Sequence, residues 1–380
     1  LANPSPLKFA APSSDAERLD WLRLARSENV GPVTFYQLLN RYGSVKNALE
    51  NLQDLAARGG KTKPIQILNQ ADAESEYRAH EKAGAHLLMS LDPQYPRSLA
   101  SLCDAPPVLS IFGDVDLLSK RSLAVVGSRN ASLNGKRFAE SLSKDLGQQG
   151  WVISSGLARG IDTHAHKGSL PTGTIAVVAG GVDHIYPPEN KVLYDAIKEK
   201  GAIVSESPFG ASPKAHFFPR RNRLISGLST GVIVVEAAYK SGSLITARFA
   251  LEQGREVFAV PGSPYDPRCR GTNSLIAQGA TLIQGVQDVI DGVIQHLPKG
   301  MLQEESAPFD DEPIINNFTE VTDKQRFVVE ENLSHAPVGL DELSRQCQIC
   351  TEELLCIILE LEIAGRVVRS AGNQVALITS

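Results

Sequence analysis

No stretch of this 380-residue chain approaches the uninterrupted apolar run, roughly 20 residues, that a membrane-spanning helix needs. Cysteine is sparse. The five thiols, Cys103, Cys269, Cys347, Cys350 and Cys356, are odd in number and scattered, so they supply no disulfide framework and fit a reducing cytoplasm. Cys347-x-x-Cys350 is half of a zinc motif, but no second ligand pair follows it and no metal is expected there. Residues 1–14 lack the basic-then-apolar order of a signal peptide; being rich in Pro, Ser and Ala, they are expected to form a flexible leader. Also missing is Gly-x-x-x-x-Gly-Lys-Ser/Thr, since Gly135-Lys136 is followed by Arg137, so triphosphate hydrolysis on a Walker loop is not expected.

Acidic charge is absent where it would be most needed. From Lys214 to Arg223 the chain reads Lys-Ala-His-Phe-Phe-Pro-Arg-Arg-Asn-Arg, with four fixed cations, two phenylalanines and no acid, in a protein of formal charge -5. Cations this close repel one another unless a polyanion neutralises them, and nucleic acid is the commonest such partner. Phe217 and Phe218 among Lys214, Arg220, Arg221 and Arg223 supply both parts of a single-strand site: cations for the backbone and a ring face for unpaired bases, the other ring anchoring the loop. The competing reading is a helix whose arginines pair with distant acids while its phenylalanines enter the core. The charge distribution supports the first. Of 38 basic and 43 acidic residues, residues 303–380 hold five and fifteen, so residues 1–302 hold 33 and 28 and are net basic.

The length predicts more than one domain. Residues 15–85 carry helical spacing: Leu19, Leu22, Leu24 and Ala25, a break at Gly31-Pro32, then Phe35, Leu38 and Leu39. Helix, short Gly-containing turn and helix predict a SAM-like or helix-hairpin-helix domain. Such a domain can touch a DNA backbone through turn amides or serve only for packing. Residues 86–295 alternate amphipathic segments with buried-strand runs at 123–126, 151–154, 174–179, 202–205, 231–235, 256–260 and 281–283. This pattern predicts an extended Rossmann-like, doubly wound, mostly parallel sheet of the α/β class. Ligands of such sheets bind beyond the strands' carboxyl ends, where Gly127-Ser128, Ser155-Gly156, Gly180-Gly181, Glu206-Ser207, Glu236-Ala237 and Pro261-Gly262 fall. Residues 296–320 read as an acidic linker. Residues 321–380 carry three helical stretches (322–333, 339–347, 352–364) and a two-stranded wing around Gly372-Asn373, a winged-helix pattern. Its charge of -4 favours protein contact over an unaided grip on DNA.

Two short segments on the rim fit anion binding. Gly127 allows a sharp turn, so that Ser128 and nearby amides approach a phosphate while Arg129 adds a bidentate donor. Lys240-Ser241-Gly242-Ser243 opens an apolar helix and forms an anion nest of amides, hydroxyls and an ammonium. Asp162-Thr163-His164-Ala165-His166 is not read as a metal site, because the two histidines face different sides of a helix. Glu206 and Glu236 could serve as acid/base groups, but no nucleophile elbow or Ser-His-Asp set accompanies them.

Taken in order, several of these segments resemble the DprA/Smf family of DNA-processing proteins. They are Gly127-Ser128-Arg129, Ser155-Gly156-Leu157-Ala158-Arg159-Gly160-Ile161-Asp162 with Ala165-His166, Gly180-Gly181-Val182-Asp183 with Tyr186-Pro187, Phe218-Pro219-Arg220-Arg221-Asn222-Arg223, Glu236-Ala237, Ser241-Gly242-Ser243 and Gly271-Thr272-Asn273. The resemblance implies a cytoplasmic, homodimeric, non-enzymatic protein without cofactor. In natural transformation it would protect incoming single-stranded DNA, displace single-strand-binding protein and load the RecA recombinase. The family's pocket arginine and lysine correspond to Arg129 and Lys214, with Arg221 and Arg223 alongside. The expected DNA-binding set is therefore Gly127, Ser128, Arg129, Lys214, Phe217, Arg220, Arg221, Asn222, Arg223, Lys240, Ser241, Gly242 and Ser243. A rival reading is a nucleoside monophosphate phosphoribohydrolase, more distantly similar at the Glu236 segment but lacking that group's Pro-Gly-Gly-x-Gly-Thr loop. A third is an adaptor that recruits recombinase mainly through protein contacts.

Overall fold

A computed structural model of the chain describes residues 9–296, 321–370 and 373–378. Most of the expected leader and linker, and Gly372 at the wing turn, lie outside the described residues. Four helices come first: α1 (Asp15–Ala25), α2 (Pro32–Tyr42), α3 (Val45–Arg58) and α4 (Gln70–Ala83). Ser14 and Glu17 close a capping box at the start of α1, Pro32 sits at the first turn of α2, and Ser44 caps α3 by accepting from Asn47 N.

The α/β part follows as β1 (His86–Met89), α5 (Arg97–Ala100), β2 (Val108–Gly113), β3 (Ser122–Gly127), α6 (Leu133–Gln148), β4 (Val152–Ser155) and α7 (Ile161–Ser169). It continues through β5 (Thr174–Val177), α8 (Lys191–Lys200), β6 (Ala202–Ser205), α9 (Phe217–Leu228) and β7 (Gly231–Val235). α10 (Gly242–Glu252), β8 (Glu256–Ala259), α11 (Arg270–Ala277), β9 (Thr281–Leu282) and α12 (Val286–His296) complete it. The sheet order is β1-β2-β6-β5-β4-β3-β7-β8-β9. Pairs from β6 through β9 are parallel, whereas β1–β2 and β2–β6 are antiparallel. Strands β4 to β7 are buried along their whole length, because helices cover both faces; this is why they read as unbroken apolar runs. The antiparallel pair β1 and β2 was not anticipated among the strand runs. Its local composition carries no sign that it would extend a sheet whose nearest member, β6, lies about ninety residues on.

The chain closes with α13 (Asp323–Asn332), β10 (Val338–Gly339), α14 (Leu340–Cys347), α15 (Thr351–Ile363), β11 (Val367–Ser370) and β12 (Gln374–Leu377). Here β10, β12 and β11 form an antiparallel sheet, giving the winged-helix arrangement. Two compact units result: Glu76–Ala307, and a second that joins the ends of the chain, Leu1–Ser75 with Pro308–Ser380. Within the second unit, α15 packs on α2 and α3. The helical front and the winged-helix back thus share one body.

Candidate nucleic-acid interface

Strand order runs outward from β3 in both directions, through β4 and β5 on one side and β7 and β8 on the other, so the crossovers reverse beside β3. The expected rim exists: the loops after β3, β4, β5 and β6 meet at a shallow, open cleft. Each loop contributes part of its wall.

Gly127 ends β3 where a Cβ would overlap Val235 O and crowd the Ile161 side chain, so only glycine lets β3 pass this close to β7. The Ser128 amide is committed to Glu236 O at 2.7 Å and its hydroxyl accepts from Asn130 N at 3.2 Å, which leaves Arg129 as the exposed member of the segment. Arg129 lines the cleft. Its guanidinium stands 5.5 Å from the centroid of Phe218, whose ring lies 5.4 Å from that of Tyr186. A cation, a ring and a second, 45% exposed ring therefore form a short array at the mouth, suited to a phosphate and an unpaired base together.

Below the array the loop after β4 is fixed from beneath. Asp162 accepts from Gly156 N (3.1 Å) and Ala158 N (3.4 Å), and His166 Nε2 accepts from Leu157 N (3.3 Å). With Nε2 accepting, the proton of His166 resides on Nδ1 and is donated to Thr174 Oγ1 at 2.7 Å. Arg221 donates from Nη1 to Gly156 O at 2.7 Å and to Val177 O. Burial pulls the Arg221 pKa down to about 10, Asp162 opposing and Arg129 adding to the fall. Burial also raises Asp162 to about 6, against the attraction of Arg221 and the loop amides. His166 is pushed down to about 3, mainly by burial and then by Arg221. It is neutral at physiological pH.

The cations of 214–223 separate once α9 forms. Lys214 is exposed and has no ion pair among the described residues. Arg220, half-exposed, places Nε 3.1 Å from Glu206 Oε1. Arg223 is buried, with Nη2 on Glu206 Oε2 and Nε 3.4 Å from Asp104 Oδ2. This is the arrangement of distant acids set against the single-strand reading above, and it applies to Arg220 and Arg223 but not to Lys214 or Arg129; Arg221, buried, feels the Asp162 carboxylate. Asn222 donates to Gly242 O at 3.3 Å, tying α9 to the start of α10. Phe217 meets His216 edge-on at 4.4 Å and does not line the cleft; Phe218 does.

The Lys240–Ser243 segment lies after β7. Ser241 Oγ accepts from Ser243 N at 3.3 Å and shares a 2.7 Å hydrogen bond with Ser243 Oγ, while Lys240 and Gly242 are exposed. Glu236, with φ of 55°, accepts from the backbone and hydroxyl of Ser132, the N-cap of α6. It is a buttress between two loops, and Glu206 is a clamp on two arginines. His164 pairs with Glu140 at 2.7 Å, apart from the partners of His166. Tyr186, Arg159 and His184 also line the cleft; Arg159 and Tyr186 stand in the motifs that carry the resemblance but outside the expected DNA-binding set, and His184 in neither.

Residues 86–293, more than half of the chain, match the family model described as DNA recombination-mediator protein A. Residues 15–79 match a DprA-like N-terminal HHH domain, and 319–373 a DprA winged helix domain. The chain is 48% identical over 216 residues to DNA processing protein DprA of Bacillus subtilis, covering 56% of this chain and 73% of the relative. It is 38% identical over 303 residues to protein Smf of Escherichia coli, covering 78% and 79%. Among solved structures it is similar to DprA of Streptococcus pneumoniae (37% identity, TM-score 0.60, 73% of this chain and 98% of that one). It is also similar to the Helicobacter pylori DNA processing protein A, described for its single-stranded DNA binding mode (33% identity, TM-score 0.51, 56% and 96%).

Proposed function

Because this chain belongs to the DprA/Smf family of DNA recombination mediators, we propose that its α/β unit holds single-stranded DNA at the cleft beyond β3 to β6. The array of Arg129, Phe218 and Tyr186 carries this reading. A guanidinium beside two tilted rings suits a flexible strand, because bases in a duplex are already stacked and offer no free face. Lys214 extends the cationic edge, and Arg221 contributes positive potential from below while holding the loop after β4. Lys240 and Gly242, both exposed, supply further phosphate contacts, whereas the Ser128 amide is held by Glu236 O and the Ser241 and Ser243 hydroxyls by each other. In the mechanism, phosphates are held by fixed cations, a base stacks at the mouth, and no bond is made or broken.

The protein then acts in the cytoplasm as a homodimer that protects incoming strands, displaces single-strand-binding protein and passes the strand to the RecA recombinase. A non-catalytic role is supported by the occupation of both rim glutamates, Glu236 by Ser132 and Glu206 by Arg220 and Arg223. The deciding experiment titrates fluorescent single and double strands with the wild type and the Arg129→Ala/Lys214→Ala pair. With about four phosphates neutralised per cleft at about 0.7 per contact, the log-log salt slope is near -3. Equal binding of single strands by both proteins would refute the site. Release of free base from nucleoside monophosphates would replace it with a hydrolase.

A further inference from the structure

A winged helix that reads DNA does so with its third helix, and a helix-hairpin-helix does so with the amides of its turn. In this chain each of those two elements is docked on the other. α15, the third helix, is buried on two faces. Leu354, Ile357, Ile358 and Leu361 face the winged-helix core, and Cys356, Leu359 and Ile363, at helical spacing on another side, are buried as well. α15 packs on α2 and α3 of the helical hairpin region.

The hydrogen bonds across this boundary involve the turn itself. Asn29, between α1 and α2, adopts a left-handed φ of 60° and donates from Nδ2 to Ile363 O at 3.0 Å. That carbonyl lies in the last turn of α15, where no intrahelical donor remains. Arg369 on β11 reaches Gln37 Oε1 on α2 at 3.0 Å, and Glu362 is hydrogen-bonded to Thr34. Gly59, at the end of α3, sits so close that a Cβ would overlap Glu360 O and press on the Ala364 methyl. α15 carries no Lys or Arg; Glu360 and Glu362 are paired with Arg326 and Arg369, and Glu352 and Glu353 in its first turn would repel a phosphate backbone.

We infer that the winged-helix module is a protein-docking module whose ligand is this chain's own N-terminal helical hairpin, and that α15 and the Ser27–Gly31 turn do not read duplex DNA. The consequence is mechanical: the two ends of the chain open and close as one unit, and strand binding is left to the α/β unit.

The test uses the full chain and hydrogen exchange. Gly59 has an ordinary φ of -73°, so Gly59→Leu inserts bulk at the boundary without straining α3. Exchange should accelerate by about tenfold or more over both 27–31 and 356–363, while amides of α1 and α3 stay protected. If Gly59→Leu instead unfolds the hairpin, Arg369→Ala decides. This change lies in the winged helix, yet it should accelerate exchange in the 27–37 segment by about threefold. Unchanged exchange there would overturn the inference. In a second arm, Glu352→Gln/Glu353→Gln should alter duplex affinity by less than about twofold. A rise of tenfold, expected when two acids leave a helix that lies in a groove, would overturn it equally.

Discussion

The guanidinium of Arg129 stands over the face of Phe218 at 5.5 Å from the ring centroid, joining the loop after β3 to the first turn of α9. Each side chain limits where the other can point. The pair presents charge and ring to the same cleft, so its two members should fail in different ways when removed.

Phe218→Ala should weaken single-strand binding by about 1–3 kcal/mol with the salt slope unchanged, since a stacking face is lost and no cation is. Arg129→Ala should weaken binding and also reduce the slope by about 0.7. Arg129→Lys should keep the slope and recover only part of the affinity, because an ammonium lacks the planar fork. Anisotropy titrations at several salt concentrations separate the three outcomes.

Arg223→Met should act on stability. It removes one of the two arginines on the largely enclosed Glu206 carboxylate, and breaking a buried pair on one side costs about 3 kcal/mol or more. Chemical denaturation should show the loss. Lys214→Ala, a change at an exposed side chain, should leave the denaturation midpoint in place while weakening strand binding.

Acid stability should depend on two opposed groups. Asp162, raised to about 6, favours the folded state at low pH, and that contribution is lost as pH rises from about 4 through 6. His166, lowered to about 3, contributes stability that is present above the unfolded value near 6.5 and is lost as pH falls toward 3. Between pH 4 and 6 the two slopes have opposite sign and cancel. Asp162→Asn should remove one of them, making stability rise more steeply with pH than in the wild type by about 1.4 kcal/mol per unit. Parallel denaturation curves at pH 4, 5 and 6 check it, and identical slopes in the two proteins would contradict it.

Ser241→Ala should cost about 1 kcal/mol through loss of the cap on α10. Lys240→Ala should leave stability unchanged and lower the salt slope by about 0.7. Thermal melts together with the titrations distinguish a cap from a phosphate contact at this segment.

The run 231–235 was readable as a strand because an all-apolar stretch of that length, between turn residues, fits only a position covered on both faces, and β7 is such a strand. The capping boxes of Ser14 with Glu17 before α1 and of Thr322 with Gln325 before α13 are equally local. Nothing local distinguished Arg220, Arg221 and Arg223. On α9, Arg220 and Arg223 lie three apart and share Glu206, whereas Arg221 lies three from Phe218 and turns toward the cleft. Its acceptors, Gly156 O and Val177 O, are 65 and 44 residues away. Charge density in the sequence announced a site but not which cations were available to a ligand.

By itself the sequence determined the α/β alternation, the rim at the strand ends and the family, because these follow from hydrophobic period, turn chemistry and an ordered set of motifs. Only the tertiary structure decided that Phe218 and Tyr186 line the cleft, that Glu206 holds two arginines, and that α15 lies against α2 and α3. Those outcomes depend on which distant groups arrive within hydrogen-bonding or van der Waals range, and interactions so short-ranged leave no trace in the spacing of residues along the chain.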